Sequence, residues 1–277
     1  MELFVSDLDG TLLNKSSEVS SNSRQIINDL IAKGVKFTVA TARTHATVIE
    51  LLEGLEIQMP IAIMNGVGIY DLKNRKYLEI VDISKAATKQ TLSIFEALGL
   101  EAMVYGIKDD QLYVFYRHID NVVSNKFYEQ RKDKALKTFM QVEGFEQVVE
   151  SHQVVNMLVF DKVELIEEAY RRVQEVEGIT ATYYRTREEG FAYMELYSSN
   201  ASKANGIKAL GKYVDFEKII GFGDNLNDLP MFKFADEAYA PSNAVDEIKS
   251  VATGIIGHHN EDAIALYLKE RYESKTK

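Results

Sequence analysis

Asp7 and Asp9 flank a single leucine in the run "FVSDLDGTLL", directly after the apolar residues 3–5. Like charges so close repel, and each loses hydration wherever it is covered. A cation is therefore expected beside them. Three more polar residues sit at comparable places. Thr41 follows "FTVA", Asp224 follows "IIGFG", and Lys203 opens the helix-like run before the strand that leads to Asp224. Asp7, Asp9 and Asp224 offer only oxygen, and the chain contains no cysteine. That donor set favours a hard divalent ion, and Mg²⁺, which keeps waters and suits phosphate chemistry, fits it. Lys203 and the Thr41 hydroxyl can hold an anionic group opposite the ion, helped by main-chain N–H groups after Asp7. A phosphate ester satisfies both sides. Asp7 then attacks phosphorus to give an aspartyl-phosphate. Asp9 protonates the leaving alkoxide and later takes a proton from the hydrolytic water. Mg²⁺ offsets the repulsion between the nucleophile and the phosphoryl group.

These residues can meet only if the strands before them run parallel and end along one edge. The pattern supports this. "LFVS", "VKFTVA" and "IAIM" read as strands, separated by a helix with Ile26, Ile27, Leu30 and Ile31 on one face and by "THATVIELLEG". The alternation returns late, with "SKANGIKALGKY" and "NLNDLPMFKFA" as helices around the strand "EKIIGF", then the short strand "EAYA" and two further helices. Alternating strands and helices point to an α/β fold with an open parallel sheet. The middle differs. "EAMVYGI", "QLYVFY", "VVNMLVF", "ITATYY" and "FAYMEL" read as strands, several alternating apolar and polar, as in a one-sided, partly antiparallel sheet. The fold class expected is an α/β core built on a parallel sheet, with an inserted α+β domain: core residues 1–82 and 195–277, insert 83–194.

The 277 residues are 46% hydrophobic, enough for one large domain or two modest ones. Net charge is −10, spread without an acidic block. This argues against nucleic-acid and anionic-membrane partners, which call for a basic face. No apolar stretch approaches the roughly 18–20 residues that span a bilayer. The start is too short and acidic for a signal peptide. A soluble cytoplasmic protein is expected, with a small phosphorylated metabolite as partner. Nothing in the sequence fixes the oligomeric state.

"DLDGT" (7–11), "TAR" (41–43), "SK" (202–203) and "GDNLNDLPM" (223–231) resemble, in order, the four motifs of the haloacid dehalogenase superfamily, and most closely its Cof-like sugar-phosphatase branch. The resemblance implies a Rossmann-like parallel-sheet core with a large α/β cap inserted between the second and third motifs, governing substrate choice. It implies Asp7 as nucleophile, Asp9 as general acid/base, and Thr41, Ala42 and Lys203 as phosphate ligands. Magnesium would be held by the Asp7 carboxylate, the Asp9 main-chain carbonyl and Asp224. Asn227 and Asp228 would support the metal waters and Lys203. Asn65, in "MNG", would lie beside the substrate, and Asn243, in "SNA", near the metal-binding loops. Three departures, Ala42, Ala204 and Ser242, stand where the family usually has glycine, which permits backbone conformations that other residues resist.

Other residues carry less. Arg43 is equally compatible with substrate contact and with a structural ion pair. His258–His259 reads as a solvated loop, and His45, His118 and His152 carry no motif. Tyr184, Arg185 and Arg187 are candidates for a substrate face, although residues at such spacing more often pack or face solvent. The reaction expected is phosphate-ester hydrolysis. The alternatives are a phosphotransferase or phosphomutase using the same intermediate, and a sensor that binds a phosphorylated ligand without turnover.

Overall fold

The computed structural model describes residues 1–276. Two compact units emerge, one from Met1–Glu79 with Ser202 onward, the other from Ile80–Ala201. The first unit opens with β1 (Glu2–Ser6), α1 (Ser21–Ala32), β2 (Lys36–Val39), α2 (His45–Leu51), β3 (Ile61–Ile63), β4 (Gly68–Asp71) and β5 (Lys76–Ile80). The inserted unit holds α3 (Lys85–Ala97), β6 (Ala102–Lys108), β7 (Gln111–Tyr116), α4 (Val122–Glu129), β8 (Lys137–Gln141), α5 (Glu146–Ser151), β9 (Gln153–Lys162), α6 (Val163–Val173), β10 (Ile179–Arg185) and β11 (Phe191–Ser198). The first unit resumes with α7 (Lys203–Leu210), β12 (Lys218–Phe222), α8 (Leu229–Phe234), β13 (Glu237–Pro241), α9 (Asp246–Val251), β14 (Gly254–Ile256) and α10 (Ala263–Thr276). The chain passes between the units at 79/80 and 201/202, where 82/83 and 194/195 are expected; at the second crossing β11 runs on to Ser198 before the first unit resumes.

Five parallel strands in the order β14-β13-β12-β1-β2 form the sheet of the first unit. Both of its faces are covered, which is why its central strands are apolar between their ends. Leu3 and Val5 pack with Ile207 and Leu210 of α7, Met231 and Phe232 of α8, and Ile248 of α9. On the opposite face the Phe222 ring meets Phe4 at 6.5 Å and Tyr267 of α10 at 5.3 Å. The strand "IAIM" does not continue this sheet at full length. A single parallel bridge, Ala40 to Ala62, joins β3 to the end of β2, and β3 instead leads a three-stranded sheet, β3-β4-β5.

In the inserted unit six strands run in the order β10-β11-β9-β6-β7-β8. All neighbours are antiparallel except β7 and β8. Along β11, Ala192, Met194, Leu196 and Ser198 are buried, while Phe191, Tyr193, Glu195 and Tyr197 are half-buried. Ala192, Met194 and Leu196 pack with Phe95 of α3 and with Ile166, Ala169 and Val173 of α6. Tyr184 lies against the Tyr193 ring at 5.3 Å, and Arg185 approaches Glu167 at 3.9 Å. Among the described residues, no helix is long and apolar enough to cross a membrane.

The last helix is tied to the sheet by charge. Arg271 donates to Glu2 at 2.7 and 3.2 Å and to Glu237 at 2.6 and 3.0 Å, joining α10 to the start of β1 and to β13. Hydrogen bonding to Arg271 is the main reason the Glu237 carboxyl is held far below its ordinary value of 4.5. The Glu2 carboxyl is lowered too, because Arg271 and Lys275 together overcome its partial burial. A lowered folded pKa gives stability that is present above about pH 4.5 and lost as pH falls through the folded value. Arg271→Met should therefore cost about 2 kcal/mol at pH 7. Urea unfolding of variant and wild type should show the gap narrowing from pH 5 towards pH 3. A gap independent of pH would mean that the ion pairs contribute nothing beyond packing.

Candidate active site

Four of the five strands of the parallel sheet hand on a polar residue at their C-terminal ends. Asp7 follows β1, and its N–H donates to the Phe222 carbonyl at 2.8 Å, extending the pairing of β1 with β12 by one residue. Asp224 lies two residues beyond β12, Thr41 two beyond β2, and Asn243 two beyond β13. The chain leaves β1 for β2 on one side and has β12 on the other. Strand order thus reverses between β1 and β12, the place where a crevice opens in such sheets.

The Lys203 ammonium, at the start of α7, is fully buried there. It donates to Asp7 Oδ1 at 2.6 Å and to Asp228 Oδ1 at 2.5 Å. An ammonium has three donors, so one remains. The other Asp228 oxygen, Oδ2, accepts from the Asp224 and Asn225 N–H groups at 2.9 and 3.1 Å. "GDNLND" therefore curls back on itself, with Asp228 closing the turn. Thr11 donates its hydroxyl to Asp224 Oδ1 at 3.1 Å.

Burial pushes the Asp7 carboxyl up to about 7, further than Lys203 pulls it down, and Asp228 adds to the rise. Burial, then Asp228, also raises Asp224, to about 6. Burial works against the charge on Lys203, but the two carboxylates outweigh it and hold its pKa above the ordinary value. The cluster thus carries more negative charge than one lysine balances. Carboxylate oxygens of Asp7, Asp224 and Asp228 lie within 4.8 Å of one another. Both Asp228 oxygens are engaged, so the oxygens left for a cation belong to Asp7 and Asp224. An all-oxygen set with surplus charge fits a hard divalent ion.

The loop after Asp7 is shaped by one glycine. Asp9 (φ −70°, ψ 124°) and Gly10 (φ 72°, ψ 2°) have type II turn geometry, whose second central position calls for glycine. A Cβ on Gly10 would also stand 2.4 Å from Asp224 Oδ2. Asn243 donates to the Gly10 carbonyl at 2.8 Å and accepts from the His259 N–H at 3.1 Å, while the His259 ring meets the Leu13 carbonyl at 2.7 Å. Asn243 therefore braces this loop. His259 is not the solvated residue that its sequence suggests.

The second motif forms another fixed corner. Thr41 is buried, and its hydroxyl accepts from the Arg43 N–H at 3.2 Å. Arg43 reaches Asp9 with Nε at 2.7 Å and Nη2 at 2.6 Å. Met64, Asn65 and Gly66 all take left-handed backbone, with φ of 50°, 53° and 87°. Such a run is costly for Met64 and is held in place by contacts around it. The Met64 N–H donates to the Arg43 carbonyl, and the Asn65 N–H to the Thr41 carbonyl. A Cβ on Gly66 would lie 2.0 Å from the Ser202 carbonyl oxygen, so only glycine lets this turn sit against the start of α7. Asn227 donates to Asn65 at 3.3 Å. None of Ala42, Ala204 and Ser242 has positive φ, so replacing glycine there brings no backbone strain.

The structure thus gathers Asp7, Lys203, Asp224 and Asp228 in direct contact or near it, with Asp9, Thr41, Arg43, Asn65, Asn227 and Asn243 on the surrounding loops. Asn227 touches Asn65 rather than Lys203. Thr11, inside "DLDGT", joins the site through its bond to Asp224. Its signal was the place of a hydroxyl directly after the turn glycine.

The chain as a whole is similar to known proteins. A family model described as haloacid dehalogenase-like hydrolase matches residues 4–268. Phosphatase YwpJ of Bacillus subtilis is 27% identical over 292 residues, covering 97% of this chain and 99% of its own. The 5-amino-6-(5-phospho-D-ribitylamino)uracil phosphatase YitU of the same organism is 24% identical, covering 98% and 97%. Among solved structures, a haloacid dehalogenase-like hydrolase from Bacteroides thetaiotaomicron superposes with a TM-score of 0.78 at 21% identity, covering 97% of this chain and 98% of that one. A structure described as a subclass IIB sugar phosphatase gives a TM-score of 0.73 at 20% identity, covering 98% of each.

Proposed function

This chain belongs to the haloacid dehalogenase-like hydrolases and is a phosphatase, and from that premise we propose that it hydrolyses small phosphate monoesters through an aspartyl-phosphate on Asp7. The observation that carries the proposal is the buried Lys203 bridge between Asp7, directly after β1, and Asp228, in the turn that follows the adjacent parallel strand β12. It orients one carboxylate while leaving that carboxylate's second oxygen without a lysine partner.

Asp7 attacks phosphorus as the ester bond to the leaving oxygen breaks. Asp9 gives that oxygen a proton, and then accepts one from the water that cleaves the aspartyl-phosphate. The third Lys203 donor and the Thr41 hydroxyl, with the Ala42 main chain between Thr41 and Arg43, are proposed to hold phosphoryl oxygens. Mg²⁺ would be held by Asp7, Asp224 and the Asp9 carbonyl, where it would neutralise phosphoryl charge. Asn65 and Asn227, hydrogen-bonded to each other, would fix the loop beside the substrate.

We assign substrate choice to the inserted unit, because every group the reaction calls for comes from the first. A sugar phosphate or a ribityl phosphate is the class proposed, in line with the names of the proteins this chain is similar to. The test is phosphate release from a panel of sugar, polyol and ribityl phosphates, with EDTA and then with excess Mg²⁺. Release should stop in EDTA and return with Mg²⁺. An undiminished rate in EDTA would refute the metal assignment, and a panel without any turnover would refute the hydrolase assignment.

A further inference from the structure

Asp9 sits at the first central position of its turn, and its side chain is 52% exposed. A carboxylate so placed is free to rotate unless something holds it. Among the described residues its only hydrogen-bond partner is Arg43, which takes both of its oxygens at 2.7 and 2.6 Å. Arg43 is itself held at both ends of its main chain. Its N–H donates to the Thr41 hydroxyl, and its carbonyl accepts from Met64 in the left-handed turn. A fixed backbone therefore aims a planar, two-pronged donor at a mobile acceptor. Arginine offers that forked geometry and lysine does not. An ion pair this exposed adds little to stability, so stability does not account for such close positioning.

We propose that Arg43 is a positioning residue for Asp9. It sets the direction in which the Asp9 carboxyl faces the leaving oxygen, and its bidentate edge is committed to that task instead of to the phosphoryl group. This rests on the phosphatase reading of Asp9. In the first half-reaction the bond from phosphorus to the leaving oxygen breaks as the bond from Asp7 oxygen to phosphorus forms. The electron pair stays on the leaving oxygen, which takes the Asp9 proton. In the second, water oxygen attacks phosphorus, the bond to Asp7 breaks, and the water proton passes to the Asp9 carboxylate. Both transfers depend on where that carboxylate points.

The experiment compares kcat/KM for a primary alkyl phosphate, whose alkoxide needs a proton to depart, and for p-nitrophenyl phosphate, whose phenolate does not. Arg43→Met should lower the alkyl value by about 30-fold and the aryl value by about 3-fold or less, a part of what an acid contributes in full. Arg43→Lys should recover only part of the alkyl loss. In an Asp9→Asn background, Arg43→Met should cost nothing further, because its effect runs through Asp9. Equal losses on both esters, with Arg43→Met still costing its full factor in that background, would overturn the proposal and make Arg43 a phosphate ligand. An Asp9→Asn variant as active as wild type on the alkyl ester would instead remove the acid/base assignment, and the proposal with it.

Discussion

Asp7→Asn should abolish turnover, by roughly 10⁴- to 10⁶-fold, while leaving the fold intact. The amide keeps the size of the carboxylate and can still accept from Lys203, so the bridge to Asp228 survives. It cannot form the acyl phosphate. Its effect on stability has a definite sign. The folded pKa of Asp7, about 7, lies above its ordinary value of 3.8, because burial disfavours the charged form. That burial cost is absent below about pH 4 and grows as the pH rises towards 7. The asparagine variant does not carry it. In EDTA the variant should melt no lower than wild type, and the difference should move in its favour between pH 5 and pH 7.5. Two measurements check this: phosphate release on the best substrate of the panel, and thermal unfolding across that pH range. Hydrolysis at the wild-type rate would exclude Asp7 as the nucleophile. A variant that unfolds at lower temperature throughout would show that the Asp7 charge is a net structural asset.

Much of this site can be read from strand ends. Asp7, Thr41 and Asp224 each follow a run of apolar residues, and in a parallel sheet such runs must finish together. Lys203 gained meaning from standing before the strand that leads to Asp224. What the sequence concealed depends on backbone that turns back. Asp228 lies four residues beyond Asp224, yet its carboxylate returns to cap the Asp224 N–H. Thr11 reaches Asp224 only because the Gly10 turn brings it there. Arg43 could not be assigned from its place in "TAR", since its partner Asp9 lies 34 residues away. Among the elements, β8 and β14 gave no signal of their own. Each is an edge strand, and only Lys137 of β8 is buried, so neither has an alternating apolar pattern to reveal it. The run "IAIM" was legible as a strand, but not its turn into the β3-β4-β5 sheet, which depends on the left-handed residues 64–66.

Lys203→Met should be the most damaging substitution for stability. Lys203 is fully buried between Asp7 and Asp228, and its removal leaves two buried carboxylates facing each other with no cation between them. Breaking a buried pair in this way typically costs about 3–5 kcal/mol, because the remaining charges stay desolvated. For a unit of this size that corresponds to a fall of roughly 10 °C in melting temperature. The pH dependence separates this cause from lost packing. The folded pKa of Lys203 is raised above its ordinary 10.5, so its contribution to wild type is complete below that value and constant across neutral pH. In the variant, Asp7 loses the group that does most to pull its pKa down, and its carboxyl rises further above its ordinary value. The deficit should be small near pH 5, where a carboxyl can take up a proton, and should grow through neutrality. Adding Asp228→Asn removes one of the facing charges and should restore part of the loss. Urea denaturation of the single and double variants at pH 5 and pH 8 decides the matter. If the deficit is equal at both pH values and Asp228→Asn brings no recovery, the lysine acts by filling space, and the balance of charge around Asp7 must be drawn differently.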